Sequence, residues 1–179
     1  MKSDPHDLDT PSAWVTRWAE RVPAGGLVLD VACGAGRHAR YFARCGHPVV
    51  AVDRDPATPS RLAGIRGISV RCADLEQGSW PFSGEHFSGI VVTNYLHRPL
   101  FPYLLSALAP AGALIYETFA AGNERFGRPS NPAFLLKSGE LLEVTRGKLQ
   151  VIAYEDLFVT DPKPAMVQRI CATNSLAGE

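Results

Sequence analysis

Cysteine is scarce, with four in 179 residues, and no two form a Cys-x-x-Cys pair or stand at zinc-like spacing. Cys33, Cys45, Cys72 and Cys171 are scattered along the chain, which argues against a disulfide framework or thiolate metal site and for a reduced, cytoplasmic setting. No metal centre is expected. Net charge is also lacking: 18 Lys and Arg balance 18 Asp and Glu. Nucleic acid and acidic membranes therefore gain no overall attraction, and neither is expected as a partner. No apolar run approaches the roughly 20 residues that a membrane helix needs. The opening MKSDPHDLDTPSAW is polar and acidic, so it does not read as a signal peptide. Internal repeats and low-complexity tracts are missing, and nothing signals an oligomeric state.

What remains is an ordinary globular composition, 46% hydrophobic and 20% charged, in a length suited to one domain with a sizeable core. Strand-like and helix-like segments alternate from residue 27 onward, the pattern of βαβ units in a mostly parallel sheet. Strands are expected at Leu27–Ala32, Pro48–Val52, Ile68–Cys72, Phe87–Thr93 and Ala113–Phe119. Helices are expected at Arg37–Cys45, in the Pro-broken stretch before Leu62, from Pro99 or Pro102, and at Ser138–Arg146. Lys148–Phe158 and Ala165–Thr173 read as two more strands joined by the turn Thr160–Pro164. So short a connection holds no crossover helix, so the last strand must run antiparallel. Asn174–Glu179 is expected to fray.

The chemistry starts at LVLDVACGAGRHAR, residues 27–40. A glycine loop between strand and helix lets a nucleotide-like ligand approach the backbone. Gly34-x-Gly36-x-x-Ala39 fits the relaxed dinucleotide pattern, so spacing alone leaves nicotinamide and flavin cofactors open. Asp30 points elsewhere, because a carboxylate beside a pyrophosphate is repulsive, whereas it suits a ligand bringing a cationic amino group. There is no room for a separate substrate domain and no Tyr-x-x-x-Lys pair.

D-x-A-C-G-x-G after a strand resembles motif I of the class I S-adenosylmethionine-dependent methyltransferases, and the resemblance covers nearly the whole chain from Leu27. It implies a Rossmann-like α/β fold: seven strands, mostly parallel with an antiparallel last strand, and helices on both faces. It also implies S-adenosylmethionine as methyl donor and S-adenosylhomocysteine as product. Asp30, Ala32, Gly34 and Gly36 would form the loop beneath that ligand. Asp53, seventeen residues after Gly36, would take the ribose hydroxyls beside Arg54, since a carboxylate accepts two hydrogen bonds from a diol. In CADLE, Asp74 would accept from the adenine amino group with Leu75 alongside, and Asn94 and Tyr95 would line the methionine portion. Read singly, Asp30 is a cap and Asp53 opens a turn in Asp53-Arg54-Asp55-Pro56; three acids at successive strand ends make a site. A looser likeness joins the chain to small bacterial methyltransferases of the tellurite-resistance and ubiquinone-biosynthesis type. The Asn-Pro-Pro-Tyr motif of base and amide nitrogen methyltransferases is missing, because Asn94-Tyr95-Leu96-His97 lacks both prolines.

Methyl transfer is an in-line displacement, so the acceptor belongs beyond the fourth and fifth strands. His97 is the candidate base for an oxygen or sulfur nucleophile, or else a cap for the helix near Pro99. Glu117 is a second base candidate or an arginine's partner. Arg98, Asn123, Arg125 and Arg128 would bind a small-molecule acceptor, with the arginines forming a cationic rim for an anion. The stretch 116–136 is too long and aromatic for a plain linker. Residues 1–26 form a segment with a short helix carrying Trp14 and Trp18, either a lid or core packing, and 27–179 the methyltransferase domain. The other function classes are a noncatalytic S-adenosylmethionine-binding regulatory module and an NAD-dependent Rossmann enzyme.

Overall fold

The computed structural model describes residues 10–174; the first nine residues of the expected N-terminal segment and the last five lie outside it. Seven strands form one sheet in the order β3-β2-β1-β4-β5-β7-β6. They are β1 Val28–Val31, β2 Val49–Asp53, β3 Ile68–Cys72, β4 Phe87–Thr93, β5 Leu108–Phe119, β6 Gln150–Val159 and β7 Ala165–Thr173. The first five run parallel, and β7 pairs antiparallel with both β5 and β6. This is the expected class I methyltransferase architecture.

Alternation along each strand sends side chains to two cores. Val28, Val49, Ala51, Val91, Ala113 and Ile115 face the helices α1 Ala13–Trp18, α2 Arg37–Arg44 and α3 Thr58–Leu62. Leu29, Val31, Ile90, Val92, Leu114 and Tyr116 face the helices α4 Phe101–Ser106 and α5 Glu140–Thr145. Helix α1 belongs to the first core: Trp14 and Val15 are buried, and the Trp14 indole donates to the Ile170 carbonyl at 3.3 Å. Ser12 caps it, accepting from the Trp14 and Val15 amides. Among the described residues no helix is long and apolar enough to cross a membrane.

Three departures from the expected elements have local causes. The helix from Pro99 opens as a 3-10 turn, Arg98–Leu100, and ends at Ser106. Strand β5 starts at Leu108 rather than Ala113, because Leu108 pairs with Phe87 while Ala111, at φ 59°, absorbs the register shift around Pro110. Asn174 does not fray: its backbone exchanges hydrogen bonds with Ala111 and Gly112, and its amide reaches the Leu108 and Ala109 carbonyls.

Candidate active site

Parallel strands present their C-terminal ends on one side, and two adjoining cavities open there. The first, of about 240 Å3, is lined by Ala32, Asp53, Arg54, Ala73, Asp74, Leu75, Glu76 and Tyr95. Six residues read from the sequence thus come together: Ala32, Asp53, Arg54, Asp74, Leu75 and Tyr95. Asp53 ends β2 and crosses to the glycine loop, where its Oδ2 accepts from the Gly34 amide at 2.8 Å. Its Oδ1 accepts from the Asp55 amide at 2.9 Å. Each oxygen keeps a further acceptor direction, enough for a diol. Asp74 Oδ1 accepts from the Glu76 amide at 2.8 Å, and its Oδ2 has no hydrogen-bond partner among the described residues.

The two glycines of the loop differ in purpose. Gly36, at φ 79°, caps α2, and a Cβ there would meet Leu62 at 2.5 Å, so this glycine exists to pack α2 against α3. Gly34, at φ 56°, has open space where its Cβ would stand. Ala32 at φ 52° and Asn94 at φ 54° hold the same left-handed conformation without being glycine, at the ends of adjacent strands. Strain of this kind concentrates at ligand sites.

Asp30 is placed differently from the expectation. Its side chain is 1% exposed and outside the cavity lining, and its Oδ2 anchors the Ala39 amide at 2.9 Å. Burial pushes its carboxyl up to about 7, against the lowering effect of that hydrogen bond. Beside it on α2, His38 is 1% exposed and burial lowers it to about 3. The Ser12 amide donates to His38 Nε2 at 3.1 Å, so the ring is neutral with its proton on Nδ1, 3.4 Å from Thr93 Oγ1.

The second cavity, about 230 Å3, lies beyond β4 and β5 and is lined by Glu76, Asn94, Tyr95, Leu96, Thr118, Phe119, Pro129 and Phe134. Glu76 and Tyr95 line both cavities. The Tyr116 hydroxyl fixes the Tyr95 carbonyl at 2.8 Å from beneath. Burial, with Glu76 and Asp74 adding to it, pushes the Tyr95 phenol up, so it remains a hydrogen-bond donor.

Most of the expected acceptor-side residues have other tasks. Glu117 accepts from Ser12 Oγ at 2.7 Å and from Arg169 at 2.9 Å, so it serves as an arginine's partner on the α1 face. Arg98 forks onto Glu140 at 2.6 and 2.9 Å and donates to the Ala133 and Leu135 carbonyls, tying α4's approach to the loop and α5. Asn123 is 2% exposed and joins the Pro129 carbonyl to the Met166 amide. Arg125 lies over the Phe126 ring, and Arg128 is exposed and outside both linings. His97 precedes the 3-10 turn without a side-chain capping bond and lines neither cavity. Seven lining residues were not singled out from the sequence as site residues, Glu76 and Thr118 among them. Glu76 stands two residues past Asp74 in CADLE, a signal that was available. The buried His38 latch gave none.

Residues 28–112 match the family model of a methyltransferase domain. The protein-L-isoaspartate O-methyltransferase of Methanospirillum hungatei is 33% identical over 98 residues, 51% of this chain and 44% of that protein. The uncharacterized methyltransferase YodH of Bacillus subtilis is 32% identical over 99 residues, 49% of this chain and 41% of that protein. The chain thus spans less than half the length of these two relatives. The structure of TehB from Haemophilus influenzae superposes with a TM-score of 0.72 at 17% identity, covering 98% of this chain and 64% of that one. A methyltransferase structure from Mesorhizobium loti gives 0.70 at 19% identity, covering 93% and 100%. Just under half of the chain thus matches a methyltransferase domain, and the chain as a whole has the class I methyltransferase fold. The residues around the first cavity fit an adenosyl ligand: an aspartate with spare acceptor capacity at β2, an aspartate oxygen after β3 with no partner among the described residues, and apolar Ala73 and Leu75 between.

Proposed function

We propose that this protein transfers a methyl group from S-adenosylmethionine to a small acceptor held in the second cavity. When bound, the sulfonium supplies an activated methyl group, and the protein's contribution is alignment in a water-poor space. Asp53 accepts from the ribose hydroxyls and Asp74 from the adenine amino group, while Ala73 and Leu75 flank the base. Asn94 and Tyr95 position the methionine end, and the Tyr116–Tyr95 hydrogen bond keeps that wall still. His97, next in sequence to the lining residue Leu96, is the candidate base for an oxygen or sulfur acceptor.

The observation that carries this reading is the wall that Glu76 and Tyr95 give to both cavities, which would set a donor and an acceptor side by side. Calorimetric titration with S-adenosylmethionine, S-adenosylhomocysteine and NAD(H) tests it. The first two should bind and NAD(H) should not; binding of NAD(H) alone overturns the proposal.

A further inference from the structure

We infer that the second cavity selects an acceptor with a flat apolar body carrying an aliphatic amine, recognised through Glu76; this rests on reading that cavity as the acceptor site. The lining supplies three aromatic rings, Tyr95, Phe119 and Phe134, together with Leu96 and Pro129. Its polar groups are Asn94, Thr118 and one carboxylate, Glu76. Among the described residues no lysine or arginine lines it. The expected cationic rim is unavailable, since Arg98 is committed to Glu140 and two carbonyls, and Arg125 and Arg128 stand outside the lining. Lys163 lies 5.8 Å from the Phe119 ring centroid and likewise outside it.

An anionic acceptor would therefore meet Glu76 with no opposing charge from the lining. An ammonium gains the carboxylate and the faces of the rings together. Glu76 is exposed, and its backbone amide donates to Asp74 at 2.8 Å, which holds the backbone from which its side chain reaches the shared wall. An amine held there lies next to the donor cavity. It sheds one proton through Glu76 to bulk water, and its lone pair then forms the bond to the methyl carbon. The carbon–sulfur pair returns to sulfur, giving an N-methylammonium and a neutral thioether. An aliphatic nitrogen has an undelocalised lone pair, so it needs no clamp of the Asn-Pro-Pro-Tyr kind.

The test is calorimetry on protein first saturated with S-adenosylhomocysteine, using phenethylamine, 2-phenylethanol and phenylacetate as probes of similar size. Failure to bind S-adenosylhomocysteine overturns the methyltransferase reading, and with it the basis of the inference. With the product bound, phenethylamine should bind at least about tenfold tighter than phenylacetate, a difference near 1.4 kcal/mol. Glu76→Gln should bring the amine-to-alcohol affinity ratio to within about twofold of unity, a change that general loosening of the site would not produce. Lys163→Met should leave the order of the three probes unaltered. Phenylacetate binding as tightly as the amine, no probe binding at all, or an amine preference surviving Glu76→Gln overturns the inference.

Discussion

The two cavities are built in opposite ways. The first cavity takes its lining from three tight turns at the ends of β1, β2 and β3, with Tyr95 as the one contribution from beyond β4. Its polar groups are held by bonds to nearby backbone, as Asp53 is by Asp55 and Asp74 by Glu76. The second cavity gathers Glu76, Asn94 to Leu96, Thr118, Phe119, Pro129 and Phe134 from four separate stretches. Its outer wall is a loop held by distant groups, Arg98 to Glu140 and Asn123 to Met166. A site made of local turns is specified by short motifs. A site made of a long loop depends on how that loop is anchored.

The sharpest break in this contrast is Asp53→Ala. It should weaken S-adenosylhomocysteine binding at least about 100-fold and cost about 1–2 kcal/mol of stability by freeing the Gly34 and Asp55 amides. Calorimetry and urea unfolding measure both, and unchanged affinity would mean that the ribose site lies elsewhere.

Arg98→Ala should act on the other side only. Loss of its fork and two carbonyl bonds should cost about 2 kcal/mol, with lysine failing to restore it because it lacks the planar fork. S-adenosylhomocysteine affinity should stay within about twofold. A parallel loss of product binding would show that the two sides are not independent.

The pH dependence of stability separates two buried groups under the donor loop. Asp30, raised to about 7 from an ordinary 3.8, holds a proton in the folded chain that the unfolded chain has released. Its contribution is complete below 3.8 and is lost as pH rises toward 7. His38, lowered to about 3 from 6.5, has the reverse sign, so its contribution grows as pH rises from 3 to 6.5. The slopes oppose each other between about pH 4 and 6.5. Asp30→Asn should therefore unmask a melting temperature that climbs with pH, and His38→Gln one that falls. Thermal scans giving parallel curves for both variants and the parent chain would contradict the assignment.

The smallest effect is expected at Ala32→Gly. Relief of a left-handed alanine, less the entropy of a new glycine in the unfolded chain, should leave a gain of roughly 0.5 kcal/mol by urea unfolding. A loss of more than about 1 kcal/mol would show that the methyl group packs rather than strains.

The positions of the strands and the antiparallel last strand were legible because each strand is short, apolar and closed by a turn signal, and because a five-residue turn forces β6 and β7 antiparallel. Asp53 and Asp74 were legible for the same reason, since an acid at a strand's C-terminal end in a parallel sheet has one side to face. Arg98, Asn123 and Glu117 were not, because polar residues after a strand look alike until their partners are known. Glu140, Met166 and Arg169, which claim them, lie 42, 43 and 52 residues away in sequence.

The sequence by itself determined the turns around the first cavity, which are short enough for φ, capping and spacing to dictate them. Only the tertiary structure decided the lining of the second cavity and the place of Asp30. Burial and long-range pairing determine which charges remain open to a ligand, and those depend on neighbours that the chain meets only after folding.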